Sequence, residues 1–468
     1  MLRDFLGFFR SDSKEAKNDR DQTEAASSKV PEITDDQPRN PYTEIKILSG
    51  HSDRIHLATI IDESRILTAA QDNTVAVWDS VNGNLLFKLY GHTKPINCVC
   101  VIHYDVSLDE EIKAEDLGNE TSRILLTASF DKSIRLWSLC YGNCLKVITE
   151  HNYAVKCFIK LRGEETEAHY CCAGDHLSIW DENMKLLHTY KRNNPNFIQS
   201  LISIKDKKIV TATDQYYLDV YCIEKSSESV EIQYSRKLPT HRESITCLIN
   251  ISDAMFASAS LDGTIMVWTT YHLLPTRQFN SHENYRDSEK KKFLYSVKHL
   301  FALEQRYIFA AIANGFFVYD TISDKCLVKQ PNAHSEEVNH LALIGDGSVL
   351  ATCSLDGTTR LWGHRTPVSS SDISALKSAV TPLERIIGKR VKSLRDKPTS
   401  LELIGECAGH TDSVQLIVSC GKEGFITCGL NDLVILWKNG ALQMENENKI
   451  LEDILKETDF FQLSLNET

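Results

Sequence analysis

Residues 131–137 read DKSIRLW: an aspartate, a tight turn and a short apolar strand that stops on Trp137. Five other segments end in the same way, TVAVW at Trp78, HLSIW at Trp180, TIMVW at Trp268, TTRLW at Trp362 and LVILW at Trp437, and together they use all six tryptophans of the chain. Each tryptophan follows an aspartate by five or six residues: Asp72, Asp131, Asp175, Asp262, Asp356 and Asp432. A histidine beside a turn precedes each unit, at His51, His92, His151, His241, His334 and His410. The His–Asp interval is 21 residues at His51 and His241, and 22 residues at His334 and His410.

A histidine, an aspartate and a strand-ending tryptophan recurring at roughly 40–45 residues mark the WD40 β-propeller, an all-β ring of four-stranded blades. Trp180 and Trp268 are 88 residues apart, and Trp268 and Trp362 are 94, so each gap holds a blade without tryptophan. FIQSLISI (197–204), KIVTAT (208–213) and YLDVYCI (217–223) read as strands in the first gap; FLYSVKHLFAL (293–303), YIFAAIA (307–313) and FFVYD (316–320) do so in the second. Six overt blades and two degenerate ones predict eight. The strand YTEIKIL (42–48) precedes the first Gly-His with no inner strands of its own, and the last repeat lacks an outer strand after Trp437. Pairing the two ends closes the ring and removes sheet edges.

The recurring His–Ser–Asp composition resembles a hydrolase triad. It occurs three times at repeat spacing, in His92/Ser129/Asp131, His241/Ser260/Asp262 and His334/Ser354/Asp356. One active site needs one triad, so these groups, with Trp137, Trp268 and Trp362, are expected to form buried structural hydrogen-bond networks. Ala70 replaces the serine in the first repeat, which predicts an incomplete network there.

A net charge of −12 over 468 residues argues against nucleic-acid binding as the main role. No apolar run reaches the roughly 18–20 residues needed to cross a bilayer. Fourteen cysteines look like a disulfide set until placed in register. Cys98, Cys157 and Cys247 fall six residues after the repeat histidine, where Leu57 and Leu416 stand elsewhere, and Cys172 and Cys353 fall three before the aspartate, where Ala69, Ala128 and Ala259 stand. They read as small core residues in a reducing cytosol, and no CxxC pair has zinc spacing. HExxH, GxSxG, GxxxxGK[ST] and GxGxxG are absent, so neither catalysis nor a cofactor is expected.

Function is expected where the chain departs from its repeat. The predicted domains are a polar tail over 1–39 that opens with the apolar MLRDFLGFFR, a propeller over 40–440, and a helical tail over 441–468. Residues 103–122 carry seven acidic residues against one lysine and read as a solvated loop or an acidic docking patch. Residues 283–292 form a second, uninformative insertion. In the largest insertion, 363–399, TPLERIIGKRVKSL (381–394) has helix-capping chemistry and an apolar face containing Leu383 and Ile387. Arg385, Lys389 and Arg390 make it basic, which suits an anionic membrane surface, an acidic partner, or packing back on the propeller. In the C-terminal tail, Ile450, Leu451, Ile454 and Leu455 line one face of an amphipathic helix that must pack on its own propeller or on another protein.

NPYTE (40–44), SLELIG (400–405), GHTDSV (409–414) and ILWKNG (435–440) make the chain resemble the WD repeat-containing protein 41 family, and the resemblance in layout spans nearly the whole chain. It implies an eight-bladed propeller serving as the non-catalytic subunit of a heterotrimer with two DENN-domain proteins. That complex acts at lysosomes, in autophagy and small-GTPase regulation, with this subunit cytoplasmic and peripherally recruited. The family's termini dock onto one DENN partner; the matching residues here include Tyr42, Ile45 and Ile47, and Ile450, Leu451, Ile454 and Leu455. The family's loop before the last blade engages a lysosomal cationic amino-acid transporter through aromatic residues, whereas 363–400 contains no Phe, Tyr or Trp, leaving Leu383 and Ile387 to serve. A competing reading is the substrate receptor of a cullin-type ubiquitin ligase. Its Trp-Asp-x-Arg motif is absent, since Val81 and Asn183 occupy the arginine position.

Overall fold

A computed structural model describes residues 30–31, 40–104, 112–119, 122–162, 170–193, 196–205, 207–226, 229–280, 295–345, 347–363, 401–422, 424–440, 442–444 and 448. Among the described residues thirty-two strands form eight antiparallel four-stranded sheets, so the expected eight-bladed propeller is the observed one. Blade 1 spans 55–89, blade 2 96–148, blade 3 155–190, blade 4 198–239, blade 5 245–280, blade 6 297–330 and blade 7 338–408. Blade 8 takes three strands from 414–438 and its outermost, Glu44–Leu48, from the other end of the chain. Each inner strand touches the inner strands of both neighbours, and blade 8 meets blade 1, so the ring is closed.

Burial follows position in the blade. Second strands such as Arg65–Ala70 and Gly424–Gly429 are apolar and buried along nearly their whole length, because blades cover both of their faces. Outer strands such as Leu85–Leu89 are half exposed. The degenerate blades use tyrosine where the others use tryptophan: Tyr221, midway along the third strand of blade 4, and Tyr319, next to last in that of blade 6, are both buried.

All eight inner strands carry a bulge immediately after their first residue, at Ile55, Ile96, Val155, Ile198, Ile245, Val297, Val338 and Val414. The extra residue turns its side chain towards the next blade. His56 Nε2 lies 2.6 Å from the Ile96 carbonyl, Asn97 Nδ2 donates to Val155 at 3.1 Å, Thr246 Oγ1 to Val297 at 2.6 Å, and Asn339 Nδ2 to Val414 at 2.8 Å. These bonds join neighbouring blades around the channel. Cys157 and Cys247 add thiol donors to the carbonyls of Gln199 and Lys298, at 3.4 and 3.2 Å. All fourteen cysteines are free thiols.

The repeat networks exist, but their hydroxyl comes from another residue. Trp137 Nε1 donates to Thr127 Oγ1 at 2.8 Å, Thr127 Oγ1 lies 2.7 Å from His92 Nε2, and His92 Nδ1 lies 2.7 Å from Asp131. Ser258 and Thr352 bridge His241 to Trp268 and His334 to Trp362 in the same way. Ser129, Ser260 and Ser354 instead donate to backbone carbonyls of the preceding loop and accept the aspartate's own N–H. They brace the turn. The first repeat is complete after all, since Thr68 bonds both His51 and Trp78 at 2.8 Å; Ala70 holds the turn position, so its lost hydroxyl costs the network nothing.

Two blades do depart. In blade 3 a shorter hairpin moves Cys172 into register with Thr68, not with Ala69, and its sulfur accepts from Trp180 at 3.1 Å; neither ring nitrogen of His151 has a hydrogen-bond partner. In blade 8, Asn431, six residues before Trp437, takes the acid's place and bonds Leu433 N, while Asp432 joins the turn. His410 Nδ1 is left without a partner. Part of the acidic insertion packs rather than solvating: a 3-10 turn at Ala114–Leu117 buries Leu117 and Ile112 against blades 2 and 3.

Candidate interaction site at the closing blade

The closing strand EIKIL pairs with the third strand of blade 8, Glu44 opposite Lys438 and Leu48 opposite Val434. Leu48 is buried between blades 8 and 1, whereas Ile45 and Ile47 are 56% and 59% exposed. As the outermost strand of its blade it presents both an apolar pair and a free edge. Tyr42 does not share this exposure. It is 4% exposed, stacks edge-on against Phe425 with centroids 5.0 Å apart, and belongs to the core between blades 7 and 8. The expectation that Tyr42 meets a partner is therefore corrected: three residues before Ile45 the chain still runs between two blades, and the ring is consumed by packing.

Pro31 and Asn40 lie on that junction. Arg360 Nη1 donates to the Pro31 carbonyl at 2.9 Å and its Nε to Glu406 at 2.9 Å. Asn40 Nδ2 then donates to the Glu406 carbonyl at 3.3 Å, and Asn40 Oδ1 accepts from Tyr42 N at 3.0 Å. The other end of the chain arrives at the same place, with Gly440 N donating to the Pro41 carbonyl at 3.2 Å. Thr43 lies so close to Gly440 that a Cβ there would clash. In the orientation that satisfies both neighbours, the Gln443 amide donates to Glu44 at 2.7 Å and accepts from Lys438.

Topology gathers further features here. In each blade the first-to-second and third-to-fourth turns lie at one end of the ring, and the aspartate turns at the other. Lys438, Glu44, and Gly363 and Glu402, between which the insertion interrupts blade 7, all lie at the end away from the aspartates. At that end a cavity of about 730 Å³ opens between blades 8 and 1, with Ile60, Val81 and Leu436 as apolar wall and Asp62, Lys422 and Lys438 as charged rim. Asp62 is held by Arg65 at 2.6 Å; burial alone would raise its carboxyl, but the Arg65 and Ser64 hydrogen bonds bring it below the usual range. The turn at Gly83 leans on Lys46 and Leu48, so exposed Val81, Leu85 and Leu86 continue the apolar surface from the closing strand onto blade 1.

Among the described residues no three His, Cys, Asp or Glu side chains gather as metal ligands, and no helix is long and apolar enough to cross a membrane. Leu383, Arg385, Ile387, Lys389 and Arg390, and Ile450, Leu451, Ile454 and Leu455, lie outside the described residues, as do residues 283–292.

Comparison with known proteins bears on this layout. The profile of the WDR41 β-propeller matches residues 1–447. The chain belongs to the WDR41 family. WD repeat-containing protein 41 of Mus musculus is 26% identical over 429 residues, covering 87% of this chain and 89% of its own. The Homo sapiens protein of the same name is 26% identical over 437 residues, covering 89% and 91%. Among solved structures, the computationally designed Ika8 protein superposes with a TM-score of 0.57 at 17% identity, over 84% of this chain and 98% of that one, a likeness of fold alone. Membership of the WDR41 family thus supports a WD40 propeller whose family typically scaffolds protein interactions.

Sequence reasoning missed the cavity and the inter-blade bonds of His56, Asn97, Thr246 and Asn339. The signal was present for the latter, since a polar or hydrogen-bonding residue recurs five positions after the repeat histidine, but only the bulge shows where it points.

Proposed function

We propose that the chain is the non-catalytic scaffold and recruitment subunit of a complex with two DENN-domain proteins, acting at lysosomes in autophagy and small-GTPase regulation. Family membership supports the reading, and one observation carries it: exposed Ile45 and Ile47 lie on the closing strand, beside the point where both chain ends leave the ring. One DENN protein docks there, using Ile45 and Ile47 together with Ile450, Leu451, Ile454 and Leu455 of the tail. The 363–399 insertion supplies lysosomal recruitment, with Leu383 and Ile387 offering apolar contact to a lysosomal cationic amino-acid transporter and Arg385, Lys389 and Arg390 offering charge.

The test is a pull-down of the tagged full chain from its own cells, beside a 40–440 form lacking both tails. DENN-domain proteins captured by the first and lost from the second are the expected result. Cullin adaptors in their place would replace this reading with that of a ligase substrate receptor. Reversing Arg385, Lys389 and Arg390 to glutamate should reduce lysosomal recruitment and leave assembly intact; unchanged recruitment would retire the basic insertion as the anchor.

A further inference from the structure

Four blades close their third-to-fourth turn in one form. A backbone N–H donates to the carbonyl four residues before it: Gly83 to Asp79 at 2.8 Å, and Gly142 to Ser138, Leu273 to Thr269 and Asp324 to Asp320 at 3.0 Å. The donor residue has a positive φ in all four, 62°, 70°, 56° and 59°. Three of these turns are braced further by the side chain at the strand end. Asp79 accepts from Val81 N at 2.8 Å, Ser138 Oγ from Tyr141 N at 3.2 Å and Asp320 from Ile322 N at 2.9 Å. Gly, Asn, Asp and Ser dominate such turns for reasons of backbone freedom and local hydrogen bonding. Here the crowns carry Val81, Tyr141, Tyr271 and Ile322, exposed by 45%, 60%, 71% and 63%, with Leu85 and Leu274 exposed beside two of them. At the aspartate end Tyr90, Phe197, Tyr216 and Leu355 are exposed as well, but they fall at unlike positions of the repeat. The remaining blades lack the crown: Met184 is buried in blade 3, Ser226 and Ser229 stand in blade 4, and blades 7 and 8 lead into the insertion and the tail.

All four crowns lie at the end of the ring away from the aspartates. In a closed ring of eight, blade 1 stands opposite blade 5 and blade 2 opposite blade 6, so the crowns form two pairs on opposite sides. A protein partner with an ordinary interface of about 800 Å² per side suits one pair; a flat surface meets both. Charge does not select the occupant. Asp62 pairs with Arg65, Asp253 with Arg162 and Lys205, Asp320 with Arg306 and Asp324 with Arg277, while Glu63 and Asp79 near Val81 are offset by Lys325 in the hairpin of Ile322. We infer that this end of the ring rests on a lipid surface, with Val81, Tyr141, Tyr271 and Ile322 entering the headgroup layer as shallow feet. Aromatic and aliphatic side chains on rigid turns suit that depth, where one end of a tyrosine is apolar and the other wet. Few and small, such contacts are reversible, so they orient a chain that a second tether brings to the membrane. Gly363 and Glu402, the roots of the 363–399 insertion, lie at the same end. The inference does not depend on which proteins the chain assembles with.

Flotation of the full chain with vesicles tests it. Wild type should float with vesicles of phosphatidylcholine alone, and high salt should not release it. Val81→Ser/Tyr141→Ser and Tyr271→Ser/Ile322→Ser should each weaken flotation about fivefold, and the four together more than about tenfold. Urea midpoints should be unchanged, because the side chains are exposed. Phe197→Ser/Tyr216→Ser, at the aspartate end, should float like wild type. Absence of wild-type flotation, or flotation only on vesicles containing phosphatidylserine, would overturn the inference. So would an effect of one pair without the other, which would mark a one-sided protein interface, and so would an equal loss in the aspartate-end variant. Should the fourfold variant unfold, the two pairs decide. Failure of the pull-down to capture DENN-domain proteins would sink the proposed assembly and leave the flotation result standing.

Discussion

Thr127 is the point at which three groups of its network meet: it accepts from Trp137, faces His92 Nε2 and so fixes His92 Nδ1 on Asp131. Every member is satisfied when the imidazole carries its proton on Nδ1. Thr127→Val keeps the shape and strands two buried polar groups, which should cost about 2–3 kcal/mol in urea unfolding. Ser129→Ala removes one hydroxyl from a turn and should cost about 1 kcal/mol. An equal loss in the two variants would mean that Ser129 belongs to the network. The sequence pointed to Ser129 because a serine two residues before an aspartate is conspicuous, while a threonine inside an apolar strand is ordinary strand composition. Lys132 offers a gain. It holds φ 68° in the aspartate turn, where blade 1 uses Asn73 at φ 64° and blades 5 and 7 use Gly263 and Gly357. Because Asn tolerates this region better than Lys, Lys132→Asn should raise stability by about 0.5–1 kcal/mol; an unchanged urea midpoint would refute the strain.

At the scale of elements, the closing strand and the wedge before it divide their labour. Tyr42 fills the junction of blades 7 and 8, and Tyr42→Ala should cost about 3–5 kcal/mol. Ile45→Ser and Ile47→Ser change exposed side chains and should stay within about 0.5 kcal/mol, yet should weaken partner capture. Wild-type capture by these variants would move the interface away from the closing strand. Most strands were legible because apolar runs of five to seven residues stop at turn residues, and even the two blades lacking tryptophan kept that rhythm. The pairing of 42–48 with the last repeat was legible from what each end lacked. The depth of Tyr42 was not, since alternation along YTEIKIL assigns faces only once pairing begins at Glu44. Nor was the register of blade 3, where a hairpin shorter than its fellows put Cys172 in the place of a threonine.

Across the whole ring, several imidazoles are kept neutral. His299 and His340 stack at 3.7 Å on adjacent inner strands of blades 6 and 7; burial brings His299 down to about 4 and, with His299 beside it, His340 well below its ordinary value. Burial also lowers His151 and His410 to about 4. Folded pKa values below the unfolded value of 6.5 mean that the unfolded chain binds more protons, so stability falls as pH drops from 6.5 towards 4. The aspartates act later: burial alone would raise Asp72 and Asp262, but hydrogen bonds from Thr74 and His51, and from His241 and Thr264, set both at about 2, so their contribution is lost only below about pH 4. Each of these histidines should cost on the order of 1–2 kcal/mol at pH 5 relative to pH 7. His299→Asn/His340→Asn should flatten the decline of melting temperature between pH 6.5 and 4.5; a slope unchanged from wild type would place the acid sensitivity elsewhere.

The joint between Glu44–Leu48 and Val434–Lys438 ties together the first and the last strand of the described residues in order of synthesis. At about 5–20 residues per second, some 20–80 seconds of translation separate them. During that interval blades 1 to 7 emerge one after another with no eighth, and Ile45, Ile47 and Leu48 leave the ribosome without the sheet they will complete. A nascent chain of this design presents an unpaired strand for most of its birth, so its yield in the cell should depend on whatever shields that strand until Trp437 emerges.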